Sequence, residues 1–362
     1  MYPISDRFQE ALRKPQTLVT VVTVTPPGDD SREIPITAGS VSVADGTSPR
    51  RTSTLTLTST PAQFDSLITP GANVKITHGI DFGGASELVP MFSGGLVDGS
   101  QSFGDGTVSC TLADDGAWLA RTNFLSPYSP PPTMRRVDVI RAIVLDSKPN
   151  TLVVDISTDT GKVGNVVWDT DRVAAIKDLC RDGGTVARFD GDGTFTIRDA
   201  PSTTDQSVWT IAAGDGGTMK AATRKRTQDR MYNTVVVRPS ASDGSQFWTQ
   251  QIAQVTDPTH PRHPSKVGVI PYTWASPTIA TGPEALAAAF RLLDRVLGTT
   301  ETLSIGAVAN PALDGGDVIR AITPKINTQP AVIFQHFIDS LSFDLLTGDM
   351  TAATRSQEEF DG

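Results

Sequence analysis

Asn310–Ala321 reads NPALDGGDVIRA, and this stretch decides how the chain is parsed. Pro311 and the pair Gly315–Gly316 mark a turn, and the apolar run Val318–Ile322 directly after it has the length of a short strand. Asp314 and Asp317 flank the glycines, where a short carboxylate accepts hydrogen bonds from nearby backbone and holds a turn tight. Upstream lies Pro283–Leu297, apolar at helical spacing, with Pro283 in its first turn and Gly298 just past its end. Together they make a strand, loop, helix, turn, strand unit, and a further strand is expected at Glu301–Ala307.

The rest of the chain is dominated by strand patterns. Leu18–Val24 is rich in β-branched residues, and Thr52–Thr58 alternates Leu55 and Leu57 with threonines, as a half-buried strand does. Ile34–Ile36, Gly39–Val43, Val74–Thr77, Leu88–Leu96 and Thr107–Leu112 continue the series, so six or seven strands fill about a hundred residues. Before them, Ile4, Phe8, Ala11 and Leu12 form one helical stripe with Ser5 as N-cap. The Pro-rich YSPPPT, Tyr128–Thr133, reads as a linker. Beyond it, Arg136–Asp146 and Thr170–Arg181 read as amphipathic helices, with a strand at Leu152–Ile156 and a hairpin of Thr185–Phe189 with Thr194–Arg198. Strands resume at Val208–Ala212, Lys220–Lys225, Asn233–Pro239 and Phe247–Gln254. Thr256–Pro277, with five prolines, reads as a long loop, and Val332–Leu345 with Met350–Thr354 closes the chain as a hairpin.

The expected fold class is therefore mainly β, with β-barrel-like modules and a small α+β insert, multi-domain and α+β overall. The parts are an N-terminal β-barrel-like domain (1–118), the α+β insert (119–202), a second β-barrel-like domain with one helix at 283–297 (203–331), and C-terminal strands that pack back on the β-modules (332–362). At 362 residues the chain is long enough for two to three cores. Its 40 acidic against 31 basic residues leave a net charge of −9, so no overall basic field draws in nucleic acid.

Two cysteines, Cys110 and Cys180, make no disulfide framework in a chain of this size and read as buried thiols. Residues 1–15 lack the apolar centre of a secretory leader, and no run approaches the ~20 apolar residues of a membrane span, so no membrane anchor is expected.

Candidate sites compete with plainer readings. His260 and His263, with Asp257, have the H-x-x-H spacing of a zinc site, but prolines alternate with them, and a surface or interface loop weighs more. Asp190 and Asp192 in FDGDGTF resemble the start of a calcium loop, yet the later glutamate is missing and a hairpin turn fits better. Arg224, Lys225, Arg226 and Arg230 concentrate positive charge, which suits a strand edge or protein interface before nucleic acid. Trp118, Trp168, Trp209, Trp248 and Trp274 are scattered and read as core anchors rather than a sugar groove. No nucleophile, acid–base or phosphate-loop motif stands out. No catalytic, cofactor or metal residue is nominated, and the chain is not expected to be an enzyme.

Taken together, MYPISDRFQEAL, RRTSTLTL, VVWDTDRVAAIKDLCRDGGTVARFDGDGTFTIRD, MYNTVVVR, VIPYTWASPTIAT, NPALDGGDVI and FIDSLSFDLLTGDMTAATRS resemble the central hub protein of phage tail tips and baseplates, notably in long-tailed phages of actinobacteria. The resemblance covers nearly the whole chain. It implies a homotrimeric ring in which each chain supplies two related β-domains, matching a sixfold tail tube above to a threefold tip below. It also implies a virion location at the tail tip after assembly in the host cytoplasm. Implied partners are the distal tail protein, the tape-measure protein and tip, spike or fibre proteins, with genomic DNA passing through the bore. Alternatives are a host-surface glycan-binding module, the hub of a phage-derived injection system, and a tail-associated hydrolase. The last would need an appended lytic domain, for which the polar tail Ser356–Gly362 leaves no room.

Overall fold

The computed structural model describes residues 1–58, 65, 69–202, 205–226, 232–239, 248–276, 278–279, 281–297, 301–324 and 330–356. The expectations that involve Arg230, Phe247, Pro277, Gly298 and the tail after Ser356 fall outside these residues. The protein is mainly β with a smaller helical share, in an α+β arrangement.

The N-terminal helix α1 (Asp6–Ala11) starts where Ser5 Oγ accepts the Phe8 N–H at 3.1 Å, and it drives Phe8 fully out of solvent. Seven strands follow: β1 (Thr17–Thr25), β2 (Arg32–Glu33), β3 (Ala38–Ala44), β4 (Arg51–Thr58), β5 (Asn73–Asp81), β6 (Ser86–Gln101) and β7 (Thr107–Asp114). They pair antiparallel in the order β3-β4-β7-β6-β5-β1-β2. Along β4 the inward positions are Arg51, Ser53, Leu55 and Leu57, while Thr52, Thr54 and Thr58 face solvent. The pleat places the leucines as the alternation predicts, and it also buries an arginine.

A short helix absent from the sequence reading, α2 (Asp115–Arg121), leaves β7 with Asp114 as its N-cap. The insert continues with α3 (Arg136–Ser147), β8 (Val153–Asp155), α4 (Arg172–Gly183), β9 (Thr185–Phe189) and β10 (Phe195–Asp199). Asp171 caps α4 through the Ala174 N–H, and Gly184, with φ 67°, ends it in the left-handed conformation. Val139, Ile140, Ile143, Ile176, Leu179, Phe189, Phe195 and Ile197 form the insert's core.

Six further strands rejoin the main sheet: β11 (Trp209–Ala212), β12 (Met219–Arg226), β16 (Glu301–Val308), β17 (Val318–Ile322), β18 (Ile333–Asp344) and β19 (Asp349–Ser356). β18 is the joint. Its first half, Ile333–Phe337, pairs with β17, and its second half, Ser340–Asp344, pairs with β3 of the N-terminal module. A register shift between Ile338 and Ser340 separates the halves on the β19 side, as a bulge that re-aims the strand. One apolar core therefore runs through both modules, from Val22 and Leu55 to Ile305, Ile338 and Phe343.

A separate three-stranded sheet holds β13 (Thr234–Pro239), β14 (Gln251–Gln254) and β15 (Pro271–Ser276), with α5 (Pro264–Val267) in the intervening loop and α6 (Gly282–Leu297) packed on the sheet. Ala285, Ala288, Ala289 and Leu292 on one face of α6 meet Val235, Val237 and Trp274. Thr256–Pro277 is thus not a loop throughout. β15 pairs in parallel with β13, a long-range partner that no local pattern reveals, and Pro271 occupies the first strand position, where a missing N–H is tolerated. The strand expected from Phe247 is limited to Gln251–Gln254 among the described residues.

Candidate functional site

The stretch 310–317 forms a turn tied down by its own side chains. Leu313 N donates to Asn310 O (3.1 Å), Asp314 N to Asp317 Oδ2 (2.8 Å), Gly315 N to Asp314 Oδ1 (2.9 Å) and Asp317 N to Asp314 O (3.2 Å). Gly316 takes φ 78°, which a side chain would strain. Its N–H reaches Ile338 O at 2.7 Å, and Ile338 N returns to Asp317 O at 3.0 Å. The turn therefore sits on β18 at its register shift. Nearby, Asp45 N donates to Asp339 O at 2.7 Å from the end of β3.

Asp317 plays the turn-holding role expected of it, but Asp314 does more. Its Oδ1 accepts Arg50 Nη2 at 2.7 Å and Arg51 Nη2 at 2.6 Å, and its Oδ2 accepts Arg188 Nη2 at 3.1 Å. Gly315 O accepts Arg50 Nη2 (3.0 Å) and Arg188 Nη1 (2.7 Å). Arg51 Nη1 also donates to Met91 O of β6 at 2.7 Å. All four charged residues are buried. Burial alone would raise the Asp314 carboxyl, but the charges of Arg51, Arg50 and Arg188 outweigh it and hold the group well below the usual carboxylate range.

Asp114 closes the cluster from the other side. Its Oδ2 accepts the backbone N–H of Arg50 (3.1 Å) and of Arg51 (2.7 Å), and its Oδ1 that of Gly116 (2.9 Å). Burial pushes its carboxyl up to about 6, against those hydrogen bonds. One clamp thus ties together the N-terminal module, the insert and the strand pair of the second module. Its chemistry is ionic fastening: charges removed from water, paired and hydrogen-bonded, that fix one relative placement of three elements.

The insert docks at two further points. At the tip of the β9–β10 hairpin, Gly191 N donates to Tyr2 Oη at 2.7 Å, and a Cβ there would run into the Pro90 carbonyl of β6. At the other end, Ser276 Oγ of β15 donates to the Asp182 carboxylate (3.2 Å to each oxygen), and Arg291 Nη2 of α6 donates to Asp182 O at 2.7 Å. Burial lifts the Asp182 carboxyl well above its ordinary value.

The sequence candidates have other duties. His260 is buried and its Nδ1 accepts the Arg262 N–H at 3.0 Å; His263 caps α5 through the Ser265 N–H at 3.2 Å; Asp257 accepts Thr259 N and Oγ1, each at 2.8 Å. Among the described residues no cluster of histidine, cysteine and carboxylate side chains is spaced to hold a metal. Asp190 and Asp192 belong to the hairpin turn, where Asp192 Oδ1 accepts Thr194 N at 2.9 Å.

Arg224 and Arg226 lie on β12, an edge strand of the sheet among the described residues, and both grip the buried Glu301, at 2.5 Å from Arg224 Nε and 2.7 Å from Arg226 Nε. Trp168, Trp209 and Trp274 are buried in three different cores and Trp248 packs beside the last, so they share no groove. Trp118 departs from the expected core role, being 51% exposed. Cys110 and Cys180 are buried thiols, not a disulfide.

The sequence reading missed Arg50, Arg51 and Arg188. The alternation in β4 held the signal, because the face carrying Leu57, Leu55 and Ser53 continues to Arg51.

No family model matches the chain, and no curated protein matches it. Solved structures do. The chain is similar to a tail protein of Neisseria meningitidis MC58, at 14% identity and TM-score 0.66, over 94% of this chain and 96% of that one. It is similar to the 43 kDa tail protein of prophage MuSo2 from Shewanella oneidensis, at 12% identity and TM-score 0.60, over 93% and 98%. It is also similar to prophage tail protein gp18 of Listeria monocytogenes, at 8% identity and TM-score 0.59, over 94% and 95%. The chain has the fold of these tail proteins, two of them prophage-encoded, over nearly its whole length.

Proposed function

We propose that the protein is the structural hub of a phage tail tip, a homotrimeric ring that links the sixfold tail tube to the threefold tip. The observation that carries this reading is β18, which pairs with β17 on one half and β3 on the other and so sets two β-modules side by side in one chain. On this reading 1–118 and 203–331 are β-barrel-like domains, 119–202 is the insert and 332–362 fastens the two. Three copies then present six modules around a bore. The likeness to prophage tail proteins supports the tail location, and the net charge of −9 suits a conduit from which phosphate is repelled.

The role is architectural and non-catalytic. Distal tail protein, tape-measure protein and tip or spike proteins are its partners, and DNA is a transient passenger. Among the described residues no helix is long and apolar enough to cross a membrane.

Sedimentation equilibrium over a wide concentration series, with negative-stain imaging of the same samples, tests the proposal. Association to a trimer and ring particles with a central hole are expected. A monomer at every concentration, with no rings, would overturn it.

A further inference from the structure

The two β-modules repeat one plan. The strands of the first lie in the order β3-β4-β7-β6-β5-β1, and those of the second in the order β12-β16-β19-β18-β17-β11, with the same succession along the chain. Neighbours are antiparallel in both, except that β11 joins β17 in parallel. The repeat holds to the residue. In β6 an extra residue, Val97, stands between Leu96, opposite Leu112, and Asp98, opposite Thr111. In β18 an extra residue, Asp339, stands between Ile338, opposite Thr354, and Ser340, opposite Ala353. Two residues before Leu96, Gly94 lies opposite both Val74 and Asp114; two before Ile338, His336 lies opposite both Ile319 and Ser356.

The modules part company beyond this bulge. There β18 takes β3 as a second neighbour, from Ser340 opposite Ala44 to Asp344 opposite Ser40. The same part of β6 has β7 on one side, and among the described residues Asp98–Ser100 have no strand on the other. The counterpart of β3 in the second module is β12. Among the described residues it pairs only with β16, and Thr223, Arg224, Lys225 and Arg226 are all exposed. The joint that is complete between β18 and β3 is thus left half-built at two other places, the late part of β6 and the outer side of β12. Open strand edges of this kind are templates for a further strand.

We propose that β12 of one copy pairs antiparallel with the late part of β6 in the next copy, repeating between chains the joint that β18 and β3 make within one. The inference rests on the ring proposed above and names the edges that close it. Carrying the β18–β3 register across sets Ser100 opposite Lys225 and Gly99 opposite Arg226. Lys225 then lies diagonal to the exposed Asp98 on the same face, a separation that a lysine side chain spans. Gly99, without a side chain, leaves room beside Arg226, which already holds Glu301. Pairing of β12 with a second β12 would instead set basic side chains against each other. The charges therefore select a head-to-tail joint, the kind that closes rings.

The test is cross-linking of the full chain carrying Ser100→Cys together with Lys225→Cys, using a short bis-maleimide; the native Cys110 and Cys180 are buried. Denaturing gels should show covalent species that stop at three chains, and either substitution alone should give none. Ser100→Cys with Lys220→Cys, displaced by roughly 16 Å along β12, should stay uncross-linked. Lys225→Glu should weaken association several-fold in sedimentation, and adding Asp98→Lys to the same chain should recover it. Rings that form without the Ser100–Lys225 cross-link would overturn the proposal and leave the hub reading standing, with another strand on these edges. Cross-linked chains that run past three would support the joint and overturn the closed trimer. A monomer at every concentration would overturn both.

Discussion

Asp314 and Arg51 lie 263 positions apart in the chain and meet at 2.6 Å, both nearly sealed from solvent. The same Asp314 oxygen holds Arg50 from the neighbouring position on the N-terminal module, and the second oxygen holds Arg188 from the insert. One carboxylate is therefore the common partner of three guanidinium groups drawn from two other parts of the molecule.

Asp314→Asn should be among the most destabilising single changes in the protein. It takes from three buried cations the carboxylate they share, leaving Arg50 and Arg188 only the longer ion pairs with Asp45 and Asp190, a loss of about 3–5 kcal/mol. Asp317→Asn, which weakens the bond that closes the turn at Asp314 N and the 2.7 Å ion pair with the Met1 ammonium, should cost less, about 1–2 kcal/mol. Urea denaturation of both variants checks the order; equal costs would show that the arginines find other partners.

Two buried histidines should make their part of the stability rise with pH between about 4 and 6.5. Burial pulls His78 and His336 down to about 4, each ring sharing a 2.8 Å hydrogen bond with a threonine, Thr20 and Thr354. The unfolded chain then binds the extra protons, so their contribution is complete above pH 6.5 and is lost as pH falls toward 4, at most about 3 kcal/mol each. Asp114 acts in the opposite sense. Its carboxyl, raised to about 6, favours the folded state at low pH and loses that contribution as pH rises from 3.8 to 6. Asp182, Asp178 and Asp294, also raised by burial, act with Asp114 against the histidines. Asp114→Asn, by removing one opposing group, should tilt the slope toward greater stability at the higher pH. Urea midpoints at pH 5 and 7 for both proteins measure the slopes.

Gly191→Ala should undock the hairpin tip without unfolding the insert. The added methyl group meets the Pro90 carbonyl, which is held in the sheet and cannot yield, while the insert's own core lies away from the tip. A cost of about 1–3 kcal/mol is expected, together with faster backbone hydrogen exchange at position 191, whose N–H donates to Tyr2 Oη. An unchanged exchange rate would show that the clamp alone fixes the insert.

Glu301→Gln should loosen β12. Two arginines of that edge strand converge on one buried carboxylate, and the neutral amide keeps the shape but loses the charge. Faster backbone hydrogen exchange along Met219–Arg226 is expected, with the N-terminal module unaffected. Uniform exchange across both would place β12 stability elsewhere.

Much of the fold was legible because it is written in neighbouring residues. Ser5 three residues before Phe8, the leucine–threonine alternation of β4, the turn within FDGDGTF and the helical stripe of Pro283–Leu297 each report a local period or cap. β15 was hidden because its partner lies more than thirty residues away in β13 and its prolines argued for a loop. Trp118 looked like an anchor because size alone suggests burial, yet the face of a short helix is decided by what packs on it.

The clamp shows where the division falls. The sequence by itself determined that Asn310–Asp317 is a turn held by short carboxylates, because such bonds close within a few residues. Only the tertiary structure decided that Asp314 spends its charge on Arg50, Arg51 and Arg188. An arginine is soluble almost anywhere on a surface, and its burial becomes favourable only when three separate parts of the chain deliver a carboxylate and backbone acceptors to one point.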